Sequence, residues 1–191
     1  MTQGNPVQDL ERTLDSVERL IGGVRPEQWS NPTPCTDWDV RQLVSHMASG
    51  NLRFAAIVSG GPVTPEASDD PAKALRAAGA ALLDSFTQPG ALERSYQSPF
   101  GELPGPALVH LRIGEMLTHG WDLARATGQM PDLPEDLAEQ ELAAFRAQLG
   151  NAPRESSPVG QPQPVADDAP AIDRLAAFLG RSVMADAGAR A

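Results

Sequence analysis

The sequence predicts an all-α protein, on three observations. Apolar residues recur at three- and four-residue spacing in four long stretches and two shorter ones. Several of those stretches open on a capping residue followed by proline, and several close on glycine. The long stretch after Gly105 also carries a polar stripe on one face, which a helix packed among others tolerates only for a reason.

The first helix starts at Asn5-Pro6, a cap with proline at the first helical position, and runs through Val7, Leu10, Leu14, Val17 and Ile21 to Gly22-Gly23. Pro26 to Cys35 reads as a turn-rich loop holding Trp29. Thr36 with Asp39 offers a capping box for the second helix, which continues through Val40, Leu43, Val44, Met47, Phe54 and Ile57 to about Ser59. Ser68 to Pro71 is another cap-plus-proline start. Leu75, Ala78, Leu82 and Phe86 form the inward face of that third helix, which Pro89-Gly90 ends. Tyr96 to Leu103 loses helical period and reads as a short hairpin or an extended loop. Gly105-Pro106 opens the fourth long helix, through Val109, Ile113, Met116 and Leu123 to Gly128.

A fifth helix follows Pro134, with Leu137, Leu142, Phe145 and Leu149 inward. Asn151 to Pro170 holds five prolines and no apolar period, so it reads as extended. Ala171 to Leu179 is a last short helix, and the final ten residues read as frayed. The expected organisation is therefore a helical domain over 1–150, with 151–191 a proline-rich segment and short helix packed on the same domain.

Composition narrows the function. The chain has 191 residues and a formal net charge of −10, with Lys73 as its single lysine. Nucleic-acid binding needs a positive footprint, which this sequence lacks. A single cysteine, Cys35, leaves no internal disulfide. The first residues have neither the basic start nor the apolar run of a signal peptide, and no apolar run is long enough to span a membrane. The expectation is an acidic, soluble, cytoplasmic protein without nucleic-acid or membrane partners.

The chemistry gathers around Glu115 and His119. Four residues apart on a helix, they lie on one face and can grip the same object. His46 sits in the second helix beside the Leu43/Met47 stripe. Two histidines and one carboxylate from two packed helices make the three-ligand set of an open zinc or other divalent-metal site. Against this stands the reading of each as an ordinary hydrogen-bonded histidine or surface pair. His110 falls on nearly the opposite face and is left out of the set.

Leu108, Arg112, Glu115, His119 and Asp122 share one face. Arg112, Asn51, Arg53, Asp122 and Arg125 are candidates to orient ligands or substrate, with caps and surface pairs as the competing reading. Trp38 and Trp121 read as core or pocket-wall aromatics. Cys35 precedes a helix start, where a thiol can be activated, but no base adjoins it in sequence; it reads as structural. No residue is assigned a catalytic role of its own.

Two segments carry a family resemblance. Pro34-Cys35-Thr36-x-Trp38-x-Val40-Arg41-x-Leu43-x-x-His46, with Gly50-Asn51, resembles the N-terminal signature of the mycothiol-dependent maleylpyruvate isomerase-like proteins. These belong to the DinB-like superfamily of metal-binding four-helix bundles. Glu115-x-x-x-His119-Gly120-Trp121-Asp122-Leu123-Ala124 resembles their second signature. Asp167-Asp168-Ala169-Pro170 and the Leu175 to Gly180 run look like a small, mostly uncharacterised subgroup.

The resemblance implies an up-down-down-up bundle with accessory C-terminal helices. It also implies that His46, Glu115 and His119 bind one divalent metal, usually zinc, with nickel as another option and water in the open position. Family enzymes use a low-molecular-weight thiol such as mycothiol, held by the metal as thiolate, which attacks a small electrophile in an isomerisation or S-transfer. The chain is shorter than the isomerase with its sterol-carrier-like C-terminal domain, so maleylpyruvate itself is not the expected substrate. The expected function is a zinc- and thiol-dependent transferase or isomerase. The rivals are a non-catalytic metal- or ligand-binding bundle, a metal-dependent hydrolase and a purely structural bundle. DinB-like proteins can form homodimers, and the sequence leaves that open.

Overall fold

The computed structural model describes residues 4–35, 37–65, 68–98, 101–150, 154 and 159–183. Its elements are α1 (Pro6–Gly22), a 3₁₀ turn (Pro26–Ser30), α2 (Val40–Ser59), α3 (Pro71–Thr87), β1 (Ser95–Ser98), β2 (Gly101–Pro104), α4 (Gly105–Thr127), α5 (Glu135–Leu149) and α6 (Ala171–Phe178). The protein is mostly helical, as the periodicity predicts. The departure from a purely α fold is the two-stranded antiparallel hairpin, where Tyr96 pairs with Leu103. Phe100, within the stretch expected as a hairpin or extended loop, lies outside the described residues.

Local chemistry sets most boundaries. The Asn5 side chain accepts from the Val7 amide and Asp70 from Ala72, so α1 and α3 start at their prolines. Gly60 and Gly128 close α2 and α4 at φ of 73° and 67°, a backbone state that side chains disfavour.

The start of α2 corrects the expected cap. Asp39, not Thr36, is the N-cap: its carboxylate accepts from the Gln42 amide at 2.8 Å, and Gln42 Oε1 accepts from the Asp39 amide at 3.0 Å. The preceding chain is held extended, with Thr33 donating to the Trp38 carbonyl and Val40 to the Asn31 carbonyl. The backbone is thus unavailable for helix until Val40. Thr36 itself lies outside the described residues.

Helix α1 packs on α4 and α3, and α2 packs on α3 and α4; α5 and α6 pack on each other and on α4. Leu10 and Val17 from α1, Leu43 and Met47 from α2, Leu82 from α3 and Ile113 and Leu117 from α4 are fully buried in the common core. Residues 159–170 run without helix or strand up to the α6 start, as the proline content predicts. The frayed end expected over the last ten residues falls mostly on 184–191, outside the described residues. Among the described residues, no helix is long and apolar enough to cross a membrane.

Candidate metal centre

Four polar side chains of α4 face α2 and the chain after α6. Arg112, His119 and Asp122 are buried, while Glu115 is partly exposed. His46, half-buried on α2, meets His119 edge to face, with ring centroids 5.0 Å apart. Trp38 lies against both rings, its centroid 4.2 Å from that of His46 and 6.1 Å from that of His119. The extended stretch before α2 delivers this indole, so the hydrogen bonds that delay the helix also wall the site.

The two histidines have different electrostatics. Burial, then the neighbouring His119 and Arg112, pulls the His46 pKa down to about 4, so the ring is neutral near pH 7. No hydrogen bond occupies its nitrogens among the described residues. His119 Nδ1 lies 3.1 Å from Asp122 Oδ2. Burial alone would raise the Asp122 carboxyl, but the hydrogen bonds with His119 and Arg181 outweigh it and hold the group below the ordinary range. A carboxylate on one imidazole nitrogen, leaving the other to a ligand, is the arrangement that orients metal-bound histidines.

Glu115 is placed differently. Its Oε2 accepts from Arg112 Nη1 at 2.7 Å, while Oε1 has no protein hydrogen bond among the described residues. Arg112 is fixed from all sides: Nε donates to Asn51 Oδ1 and Nη2 to the Met47 carbonyl, both at 2.7 Å. Its guanidinium lies on Gly50, where a Cβ would come within 2.7 Å of Nη1. The Gly50-Asn51 pair is therefore a seat for Arg112, and Asn51 acts on Glu115 through it.

The donor chemistry suits a divalent cation: two imidazoles, each with at least one nitrogen free of hydrogen bonds among the described residues, and one unclaimed carboxylate oxygen. The convergence is incomplete. Among the described residues, no three His, Cys, Asp or Glu side chains gather closely enough to hold an ion. His46 and His119 are brought together, whereas Glu115 remains drawn to Arg112. Arg53 stands exposed on α2 without a hydrogen bond among the described residues, near enough to contribute to lowering His46. Arg125 lies over the Trp121 ring and donates to the Val183 carbonyl, apart from the cluster.

His110 pairs with Glu141 of α5, away from these groups, in keeping with its exclusion. The Cys35 thiol is pushed up, by burial first and then by Asp122, which disfavours a nucleophilic thiolate and suits a structural role. Arg181 escaped the sequence reading. It clasps Asp122 through Nη2 at 2.9 Å and Nε at 3.2 Å, from 59 residues downstream. Nothing local marks such a partner.

A mostly helical protein with two facing histidines, one backed by a carboxylate, has the makings of a helix-borne metal-binding protein. Comparison with known proteins identifies the group. Residues 10–124 match the family described as the mycothiol maleylpyruvate isomerase N-terminal domain, and the chain belongs to that family. Two relatives come from Mycobacterium tuberculosis: "Uncharacterized protein MT0763" of strain CDC 1551 / Oshkosh and "Uncharacterized protein Rv0738" of strain ATCC 25618 / H37Rv. Each is 38% identical over 181 residues, covering 94% of this chain and 99% of the relative.

Proposed function

We propose that His46, Glu115 and His119 hold one divalent metal, zinc foremost, and that the protein is a thiol-dependent transferase or isomerase acting on a small electrophile. The observation that carries this reading is the His46–His119 pair, contributed by two helices, with Asp122 on one nitrogen of the His119 ring. Zinc lowers the pKa of a bound thiol and leaves it nucleophilic at neutral pH.

The chain's own residues supply the rest. His46 stays neutral and so offers a lone pair. Asp122 orients His119. Arg112 presents Glu115 through one oxygen and leaves the other for the metal. Trp38 shields one side from water, and Arg53 offers an exposed positive charge to an anionic thiol or substrate. Mycothiol is the thiol that the family name suggests. The same reading takes the four long helices as a DinB-like up-down-down-up bundle in a cytoplasmic protein.

The test is metal content by mass spectrometry on protein purified without chelator or histidine tag. Near-stoichiometric zinc or nickel is expected in the wild type and none in His119→Ala. Zinc-dependent consumption of a small electrophile by a panel of thiols, mycothiol included, then checks the enzyme reading. Absence of both metal and turnover overturns it. The Arg112–Glu115 contact favours a second reading, a non-catalytic metal- or ligand-binding protein, for which metal raises the melting temperature and no thiol is consumed.

A further inference from the structure

We propose that Arg181, on the segment after α6, is a positioning residue for the metal centre: its grip on Asp122 fixes which nitrogen of His119 faces the ligand. The proposal rests on the metal reading above and adds a residue beyond the 10–124 region that matches the family.

Asp122 is fully buried, and its carboxylate has two partners among the described residues, His119 and Arg181. Arg181 spans both oxygens, Nε to Oδ1 and Nη2 to Oδ2, and its Nη1 donates to the Leu179 carbonyl at 3.1 Å. A two-pronged guanidinium contact sets the plane of a carboxylate as a single point charge does not. The plane so fixed presents Oδ2 to His119 Nδ1. An ionised carboxylate only accepts, so Nδ1 must carry the hydrogen, and in the neutral ring that leaves the lone pair on Nε2.

The segment that brings Arg181 is anchored on both sides of this contact. Upstream, Trp121 Nε1 donates to Asp173 of α6 at 2.6 Å. Downstream, Arg125 donates to the Val183 carbonyl at 3.1 Å. The C-terminal segment thus spans three residues of α4, of which only Asp122 touches a ligand histidine. Loss of Arg181 would leave a buried carboxylate free to turn and His119 free to populate the other tautomer.

The experiment uses ¹⁵N-labelled full-length protein. Two-bond ¹H–¹⁵N imidazole spectra of the metal-free protein read the His119 tautomer directly. Zinc affinity is measured by competition with a chromophoric chelator. Wild type is expected to show the Nδ1–H tautomer, Arg181→Met a mixture, and Arg181→Lys a partial return. Zinc affinity should fall about 10–100-fold in Arg181→Met, the usual cost of losing an outer partner. Arg125→Met, which breaks a neighbouring tail contact but leaves Asp122 alone, should stay within about twofold on this reading.

An unchanged tautomer in Arg181→Met overturns the proposal. Equal losses of affinity in the Arg181 and Arg125 variants also overturn it, since that would mean general docking of the tail. Should wild type bind no zinc, the metal reading fails, while the metal-free spectra still decide the role of Arg181.

Discussion

His119 and His110 sit on the same helix, and each has Nδ1 against a buried carboxylate. His119 meets Asp122 at 3.1 Å, and His110 meets Glu141 at 2.8 Å. Their surroundings differ. Beside His119 stands a second, neutral histidine from another helix, with free nitrogens and a carboxylate oxygen nearby. Beside His110 there is Gln140, 3.4–3.5 Å from its ring nitrogens, and the contact clasps α5 to α4. A buried histidine–carboxylate pair therefore does not define a site. What separates the two faces of α4 is the supply of unclaimed donor atoms around one of them.

The sharpest way to break this comparison is to remove each histidine and read both metal and stability. On the proposed metal reading, His46→Ala and His119→Ala should weaken zinc binding by more than the roughly 10–100-fold that outer partners contribute, because each would remove a direct ligand. His110→Ala should keep its zinc and lose about 1–3 kcal/mol of stability, since Glu141 would be left buried without its partner. Chelator competition and urea melts on the three variants decide it. Loss of zinc in the His110 variant would mean that the two faces are not separate.

Gly50 offers the next largest effect. A Cβ there would sit 2.7 Å from Arg112 Nη1 and 2.9 Å from Cζ, and the guanidinium is held by Asn51, Met47 and Glu115. The arginine cannot simply swing away, so Gly50→Ala should cost about 1–3 kcal/mol of overpacking strain. Thermal melting checks this, with Gly22→Ala as a control because its Cβ would meet nothing within 4 Å. Equal melting points for the two variants would show that Arg112 yields freely.

These two faces were unequally legible. Helix starts at Asn5-Pro6 and Asp70-Pro71 were readable because a cap acts within three residues of itself. The Glu115/His119 face followed from helical spacing alone. The start of α2 is ambiguous in the sequence because Thr36-x-x-Asp39 and Asp39-x-x-Gln42 both fit a capping pattern, and contacts to Asn31 and Thr33 choose between them. Arg181 was invisible for a related reason. Its partner is 59 residues away and the sequence around it has no period. Gly50 was visible as part of a motif, but its purpose depends on an arginine of another helix. Short-range chemistry can be read from a string, whereas partners chosen by tertiary packing cannot.

The smallest effect concerns pH, and it isolates the His110 clasp. Donation to Glu141 raises the His110 pKa above its ordinary value, against burial and with help from the charges of Glu141 and of Asp9 on α1. A histidine whose folded pKa is raised contributes stability that is complete below the unfolded value of about 6.5, and loses it as pH rises through the folded value. The Glu141 carboxyl is raised by burial, which gives the same sign at lower pH. Wild type should therefore lose about 1 kcal/mol or less between roughly pH 6 and 8 relative to His110→Gln. Urea midpoints of the two proteins across that window measure the difference directly, and titrating groups that do not touch His110 cancel in the subtraction, whereas Glu141, bonded to it, does not. A gap that stays constant with pH would mean that His110 is held by packing and carries no linked proton. A gap that shrinks as pH rises would identify the clasp as a charged pair, unlike the neutral imidazole of His46 across the helix.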